Sequence, residues 1–220
     1  TYAEYVCVPQ NELALKPANI SFKEAAGVPQ AALVALQGLR LWQIKAGQKV
    51  LITGASGGNG TYAVQIAKAF DTEVTAVVST RNIELVRSLG ADHVIDYIQE
   101  DFAQKDEKYD LIMAMGGYRS LSDYKKVLSS NGVFVWAGGD LKGLFEAMIL
   151  GSWVARGSKK TLTSLSHKQN QDDLKFMAEL MEKGKVKTVI DRCFPLEETA
   201  DAMRHYTAGH MQGKVVITVA

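Results

Sequence analysis

The chain has 220 residues, 47% hydrophobic and 22% charged, an ordinary globular balance that excludes a disordered, fibrous or collagen-like protein. Its 25 Lys and Arg against 24 Asp and Glu leave a formal charge of +1, so there is no electrostatic footprint for a polyanion and nucleic acid is not an expected partner. The longest apolar stretch, Gly143 to Ala155, is interrupted by Glu146 and falls short of the about 20 residues a spanning helix needs, so no membrane span is predicted.

The N-terminus, Thr1-Tyr2-Ala3-Glu4-Tyr5-Val6-Cys7-Val8-Pro9, has neither the basic start nor the apolar centre of a signal peptide. It alternates like a strand already under way, which predicts a strand over 5–15 and a chain that begins inside a domain. The two cysteines, Cys7 and Cys193, lack C-x-x-C spacing and could form at most one bridge. They are expected to be buried thiols of a cytoplasmic protein, with no disulfide framework.

From Val50 onward, strands and helices alternate. Val50-Leu51-Ile52 runs into a glycine cluster, after which Ala63, Ile66, Ala67 and Phe70 recur at helical spacing. Val74 to Val78 reads as the next strand, and Ile83, Val86 and Leu89 mark a helix that Gly90 closes. Val94-Ile95, Leu111-Ile112-Met113 and Val133-Phe134-Val135-Trp136 follow as short strands. Runs that are apolar on both faces and separated by helices predict an α/β fold, a doubly wound parallel Rossmann sheet. Lys160 to Leu165 reads as a further strand, ahead of a helix from about Asp172 in which Leu174, Met177, Leu180 and Met181 face a core. Val186 to Pro195 and Lys214 to Val219 are strand-like but stand outside this rhythm. With the N-terminal segment they are expected to form a partial, mostly β second domain.

The string Thr53-Gly54-Ala55-Ser56-Gly57-Gly58-Asn59-Gly60 lies between a strand and a helix. There the helix N-terminus offers unpaired N–H groups and a positive dipole end to a pyrophosphate, and glycines let the backbone approach it. Position after a buried strand and before an amphipathic helix predicts dinucleotide binding. An NAD site expects Asp or Glu about 20 residues further on, for the ribose 2′-hydroxyl. Ser79-Thr80-Arg81-Asn82 stands there instead. Hydroxyls and a guanidinium hydrogen-bond a 2′-phosphate that a carboxylate would repel, so the expected cofactor is NADP. The plainer reading of this segment makes Arg81 a solvated side chain and Asn82 a helix cap. A short-chain dehydrogenase would need Tyr-x-x-x-Lys, which no tyrosine after the glycine string supplies, and a methyltransferase would be expected to carry an acidic residue after the second strand.

Ala3-Glu4-Tyr5-Val6, Leu15-Lys16-Pro17, Ala25-Ala26-Gly27-Val28-Pro29, Gly47 to Ile52, the glycine string, Leu89-Gly90-Ala91-Asp92, Val94 to Tyr97 and Gly213 to Val216 together resemble the zinc-independent quinone oxidoreductase branch of the medium-chain dehydrogenase/reductase superfamily. The resemblance implies the end of a GroES-like substrate domain over 1–26, an NADP-binding Rossmann domain over 27–184 and a C-terminal return over 185–220. It implies that Ala55, Gly57, Gly58 and Asn59, with Ser56 in the same string, face the pyrophosphate. Ser79, Arg81 and Tyr97, with the neighbouring Thr80, would surround the 2′-phosphate. Met115 and Gly116, and Ala137, Gly138 and Gly139, would line the ribose and nicotinamide. The sequence departs from the pattern at Asn59, where a hydrophobic residue is usual, at Val34, where a Thr is frequent, and at Ala114, which replaces a frequent Asp.

Where zinc-dependent relatives place a metal ligand, Gly27-Val28-Pro29-Gln30-Ala31 offers none, so no metal site is expected. The four histidines, His93, His167, His205 and His210, are scattered and are expected to be structural. The resemblance therefore implies zinc-free hydride transfer from NADPH to a quinone or an α,β-unsaturated carbonyl, with no catalytic acid assigned. The alternative is a non-catalytic NADPH-binding or scaffold protein of the same fold. Relatives commonly pair through the sheet edge, so the resemblance also implies a homodimer centred on Lys160 to Leu165.

Overall fold

The structure, a computed structural model, describes residues 2–116, 119–139, 141–209 and 211–219. Helix α1 (Phe22–Ala26) begins at a capping box in which Ser21 and Glu24 satisfy each other's backbone N–H. Helix α2 (Val28–Leu41) carries Pro29 in its first turn, where a backbone N–H would have no helical partner. Then come β1 (Lys49–Thr53), α3 (Gly60–Ala69), β2 (Glu73–Val78), α4 (Ile83–Ser88), β3 (His93–Asp96), β4 (Tyr109–Ala114), α5 (Leu121–Val127), β5 (Leu128–Trp136), α6 (Leu141–Ala155), β6 (Thr161–Ser164) and α7 (Gln171–Glu182). A return of β7 (Ile190–Pro195), α8 (Thr199–Thr207) and β8 (Lys214–Thr218) completes the order.

Six parallel strands form the main sheet in the order β3-β2-β1-β4-β5-β6, the doubly wound arrangement expected. Alternate strand residues bury against opposite helical layers. Val50, Ile52, Leu111, Met113 and Val135 belong to the core shared with α2, α3 and α7. Leu51, Ile112, Phe134 and Trp136 belong to the core shared with α5 and α6. In that second layer the Tyr124 ring lies 4.5 Å from Phe134 and 5.7 Å from Phe102. Removing one such ring costs about 3–5 kcal/mol, a large share of a domain's net stability. The order changes direction between β1 and β4, which opens a crevice beyond their carboxyl ends.

Two helix ends follow their sequence signals. After α4, Gly90 takes a φ of +100°, with Gly90 N–H donating to Arg87 and Ala91 N–H to Val86, the paired bonds of a glycine-closed helix. Helix α7 has Met177, Leu180 and Met181 buried and Leu174 partly buried, as its spacing predicts.

Several expectations need correction. Residues 5–15 form no strand; that stretch holds a single 3-10 turn, Gln10–Glu12, and Tyr5 and Leu15 are almost fully exposed. Alternation alone does not make a strand without a ladder partner, and no described strand runs beside this segment. Both cysteines are exposed rather than buried. Cys7 lies in that unpaired segment, and Cys193 lies on β7, whose two-stranded parallel sheet with β8 leaves one face open. Strand β7 begins only at Ile190, four residues after the predicted start.

Candidate functional site

The turn after β1 needs glycine at two positions. Gly54 has a φ of +66°, and a Cβ on Gly60 would stand 2.1 Å from the Gly54 carbonyl oxygen. The close approach brings the start of α3 directly under the turn, and no side chain caps that helix, although Asn59 occupies the cap position. An uncapped N-terminus below a glycine turn is the arrangement an anion requires. The turn is braced from the chain's far end: Gly213 N–H donates to Ser56 O at 2.9 Å, and Gly57 and Gly213 form a parallel bridge.

Beyond the ends of β1 to β4 lies a cavity of about 1190 Å³. Of the residues singled out by sequence, Ser56, Gly57, Ser79, Thr80, Arg81, Tyr97, Met115 and Gly116 line it together. The other six do not. Ala55 is fully buried and its N–H points at Val77 O, so it supports the turn from beneath. Gly58 is buried against Lys214. A Cβ on Gly138 would lie 3.6 Å from both the Asn59 amide nitrogen and the Met115 carbonyl, so these three residues meet at the β1–β4–β5 junction. Ala137 commits its N–H to Ala114 O at 2.9 Å, and Gly139, at a φ of +126°, covers the Trp136 ring.

The electrostatics at the end of β2 are mixed in a particular way. Arg81 and Arg119 both line the cavity, and Arg119 pairs with Asp101 at 3.2 Å. Asp96, buried at the end of β3, accepts from the Thr80 hydroxyl and from Ile98 N–H, so its charge is masked by two donors. Burial pushes the Tyr124 phenol up to about 12, so at neutral pH it keeps its proton. Asn82 is no side-chain cap for α4; it is buried, and its amide reaches Ser56 and Ser79 instead.

Sequence reasoning missed the opposite wall, formed by Tyr206, Thr207, Gly209 and Met211 of the return. No local motif announces them, because contacts far apart in the chain, the Gly57–Gly213 bridge and the Gln212–Asn82 hydrogen bond, bring that segment here. None of the described histidines is on the cavity: His93 pairs with Glu73, His167 with Gln37 and His205 with Asp191. His210 lies outside the described residues, among which no group of three or more His, Cys, Asp or Glu could hold a metal. Nor is any described helix long and apolar enough to cross a membrane.

A family profile described as "Zinc-binding dehydrogenase" matches residues 89–217. The chain is 36% identical to the "Chloroplast envelope quinone oxidoreductase homolog" of Arabidopsis thaliana, over 98% of this chain and 68% of that protein. It is also 36% identical to the "NADPH-dependent alkenal/one oxidoreductase, chloroplastic" of the same plant, over 98% of this chain but 52% of the other. The quinone oxidoreductase structure from Coxiella burnetii superposes with a TM-score of 0.81 at 29% identity, covering 94% of this chain and 64% of that one. The chain thus spans between about half and two-thirds of the length of these relatives. With the sheet order, the glycine turn and these matches in agreement, the chain belongs to the quinone oxidoreductase-like group of the medium-chain dehydrogenase/reductase superfamily.

Proposed function

We propose that the protein is an NADPH-dependent oxidoreductase that transfers hydride, without zinc, to a quinone or to the β-carbon of an α,β-unsaturated carbonyl. The observation that carries the cofactor choice is the end of β2, where Ser79 and Arg81 line the cavity with no carboxylate between them. The residues fit the dinucleotide: the uncapped start of α3 and the turn at Gly57 suit a pyrophosphate, and Ser79, Arg81 and Tyr97 suit a 2′-phosphate. Ala55 and Gly58 support the turn, Asn59 stays assigned to the pyrophosphate, and Met115, Gly116 and residues 137–139 are assigned to the ribose and nicotinamide end. Relatives named as an NADPH-dependent alkenal/one oxidoreductase and as quinone oxidoreductases support the same reading.

When bound, NADPH supplies the hydride. The protein's part is to hold the ring against the acceptor and to keep the site dry. No residue of this chain is assigned as proton donor, and Tyr124 is not a base because it stays protonated.

A homodimer is part of the proposal. Strand β6 is the sheet edge, and α6, which packs beside it, exposes Phe145, Met148, Ile149 and Trp153 along one face. A second reading, nucleotide binding without turnover, is favoured by Val34, which is buried and offers no hydroxyl where many relatives carry Thr. Titration calorimetry with NADPH and NADH, followed by NADPH oxidation assays of the full gene product with a quinone and an enone, separates the two. Tight NADPH binding with turnover supports the enzyme, NADPH binding without turnover supports the second reading, and equal affinity for both nucleotides overturns the cofactor choice.

A further inference from the structure

The cavity wall from the C-terminal return reaches the 2′-phosphate end through a chain of amides. Gln212 donates from Nε2 to Asn82 Oδ1 at 2.7 Å, and Asn82 donates from Nδ2 to Ser56 Oγ at 3.0 Å and Ser79 Oγ at 3.1 Å. An amide NH₂ has two protons, and here there is one for each serine. Each hydroxyl therefore accepts from Asn82 and keeps its own proton to donate elsewhere. Both serines line the cavity beside Arg81. With both amides turned over, the two hydroxyls would donate to Asn82 Oδ1 instead and would face the cavity with lone pairs, which repel a phosphate.

The position of Gln212 is set from outside the cavity. Its own N–H donates to Asp191 Oδ1 at 3.0 Å, and Asp191 Oδ2 is held by His205 Nε2 at 2.5 Å. The next residue, Gly213, donates to Ser56 O. Asn82 is buried, and both ends of its amide already have protein partners.

We propose that Gln212 and Asn82 are positioning residues that aim two hydroxyl protons at the 2′-phosphate, that of Ser79 and that of Ser56, which Asn82 couples from the pyrophosphate turn to Ser79. Preference for the phosphorylated dinucleotide is then set by the C-terminal return as well as by the end of β2. This rests on the reading that the cavity takes NADPH.

The test is a calorimetric double-mutant cycle with NADPH and NADH as probes, using Gln212→Met, the Ser56→Ala/Ser79→Ala pair, and all three changes together. Gln212→Met keeps the side chain's length and removes its polarity. It should weaken NADPH binding about 5- to 20-fold and change NADH by less than about twofold. In the serine-deleted background the same change should cost nothing further, because there are no hydroxyls left to aim. A merely structural Gln212 would weaken both nucleotides alike and keep its full effect without the serines, and either result overturns the proposal. If the unmodified protein itself shows no preference for NADPH, the cofactor reading fails and this inference falls with it. If the preference is present and Gln212→Met leaves it intact, only the positioning role fails.

Discussion

The Thr80 hydroxyl donates to Asp96 Oδ2 at 2.5 Å, so the two hydroxyls that stand side by side after β2 have different duties. Thr80 commits its proton to masking a buried carboxylate at the end of β3, whereas Ser79 accepts from Asn82 and keeps its own. Thr80→Val should therefore lower stability by about 1 kcal/mol and leave the NADPH-to-NADH preference within about twofold. Ser79→Ala should lower NADPH affinity about 5- to 20-fold with little change in melting. Thermal melts and nucleotide titrations of the two variants side by side check this, and a reversed pattern would contradict the assignment.

Arg81 carries the planar fork expected at a 2′-phosphate. Hydrogen bonds to charged groups contribute about 1.5–3 kcal/mol, so Arg81→Ala should weaken NADPH about 10- to 100-fold and leave NADH nearly unchanged. Equal loss for both nucleotides in a calorimetric titration would remove the phosphate role.

Most of the frame that places these residues was legible in sequence, because it depends on local rules. Strand and helix alternate at distinct hydrophobic periods, Gly90 ends a helix and Gly54 to Gly60 turns one strand into the next helix. What was illegible depends on contacts far apart in the chain. Gln212 meets Asn82 across 130 positions, and nothing near either residue signals the meeting. Asn82 is a good capping residue by type, yet tertiary burial gave its amide other partners. The apolar alternation of residues 5–15 has the pattern of a strand but forms none, because pattern carries no information about whether a neighbouring strand is there to complete it.

Asp92 ties the starts of β2 and β3 together, accepting from Val74 N–H and pairing with Lys68 at 2.7 Å. Burial acts to raise its pKa, but the Lys68 ammonium and the Val74 amide outweigh it and hold the carboxyl below 3.8. A depressed folded-state value means that the stabilisation is present above the unfolded value and lost as pH falls through the folded one. Because the pair is partly exposed and screened by solvent, Asp92→Asn should thus cost no more than about 1 kcal/mol at pH 7, with the gap to the unmodified protein closing below about pH 4. Urea unfolding at both pH values measures it; a gap that persists in acid would show that the carboxylate charge is not the cause.

Leu165 N–H donates inward to Trp136 O at 2.8 Å, so by the two-residue period of a strand the N–H groups of Leu162 and Ser164 face away from β5. Ser164→Pro removes an outward donor and Trp153→Asp charges the α6 stripe. Each should shift a dimer towards monomer by at least about tenfold in dissociation constant. Light scattering at tens of micromolar decides it: a monomeric unmodified protein, or both variants still dimeric, would place the interface elsewhere or nowhere.

If the cavity beyond β1 to β4 holds NADPH with its 2′-phosphate between Ser79 and Arg81, a crystal structure of the NADPH complex will show it. The expected result is a 2′-phosphate within hydrogen-bond distance of the Ser79 hydroxyl and the Arg81 guanidinium, with the pyrophosphate over the Gly57 turn at the start of α3. An ordered nucleotide whose 2′-phosphate points to solvent, or one bound outside this cavity, would rule this binding mode out.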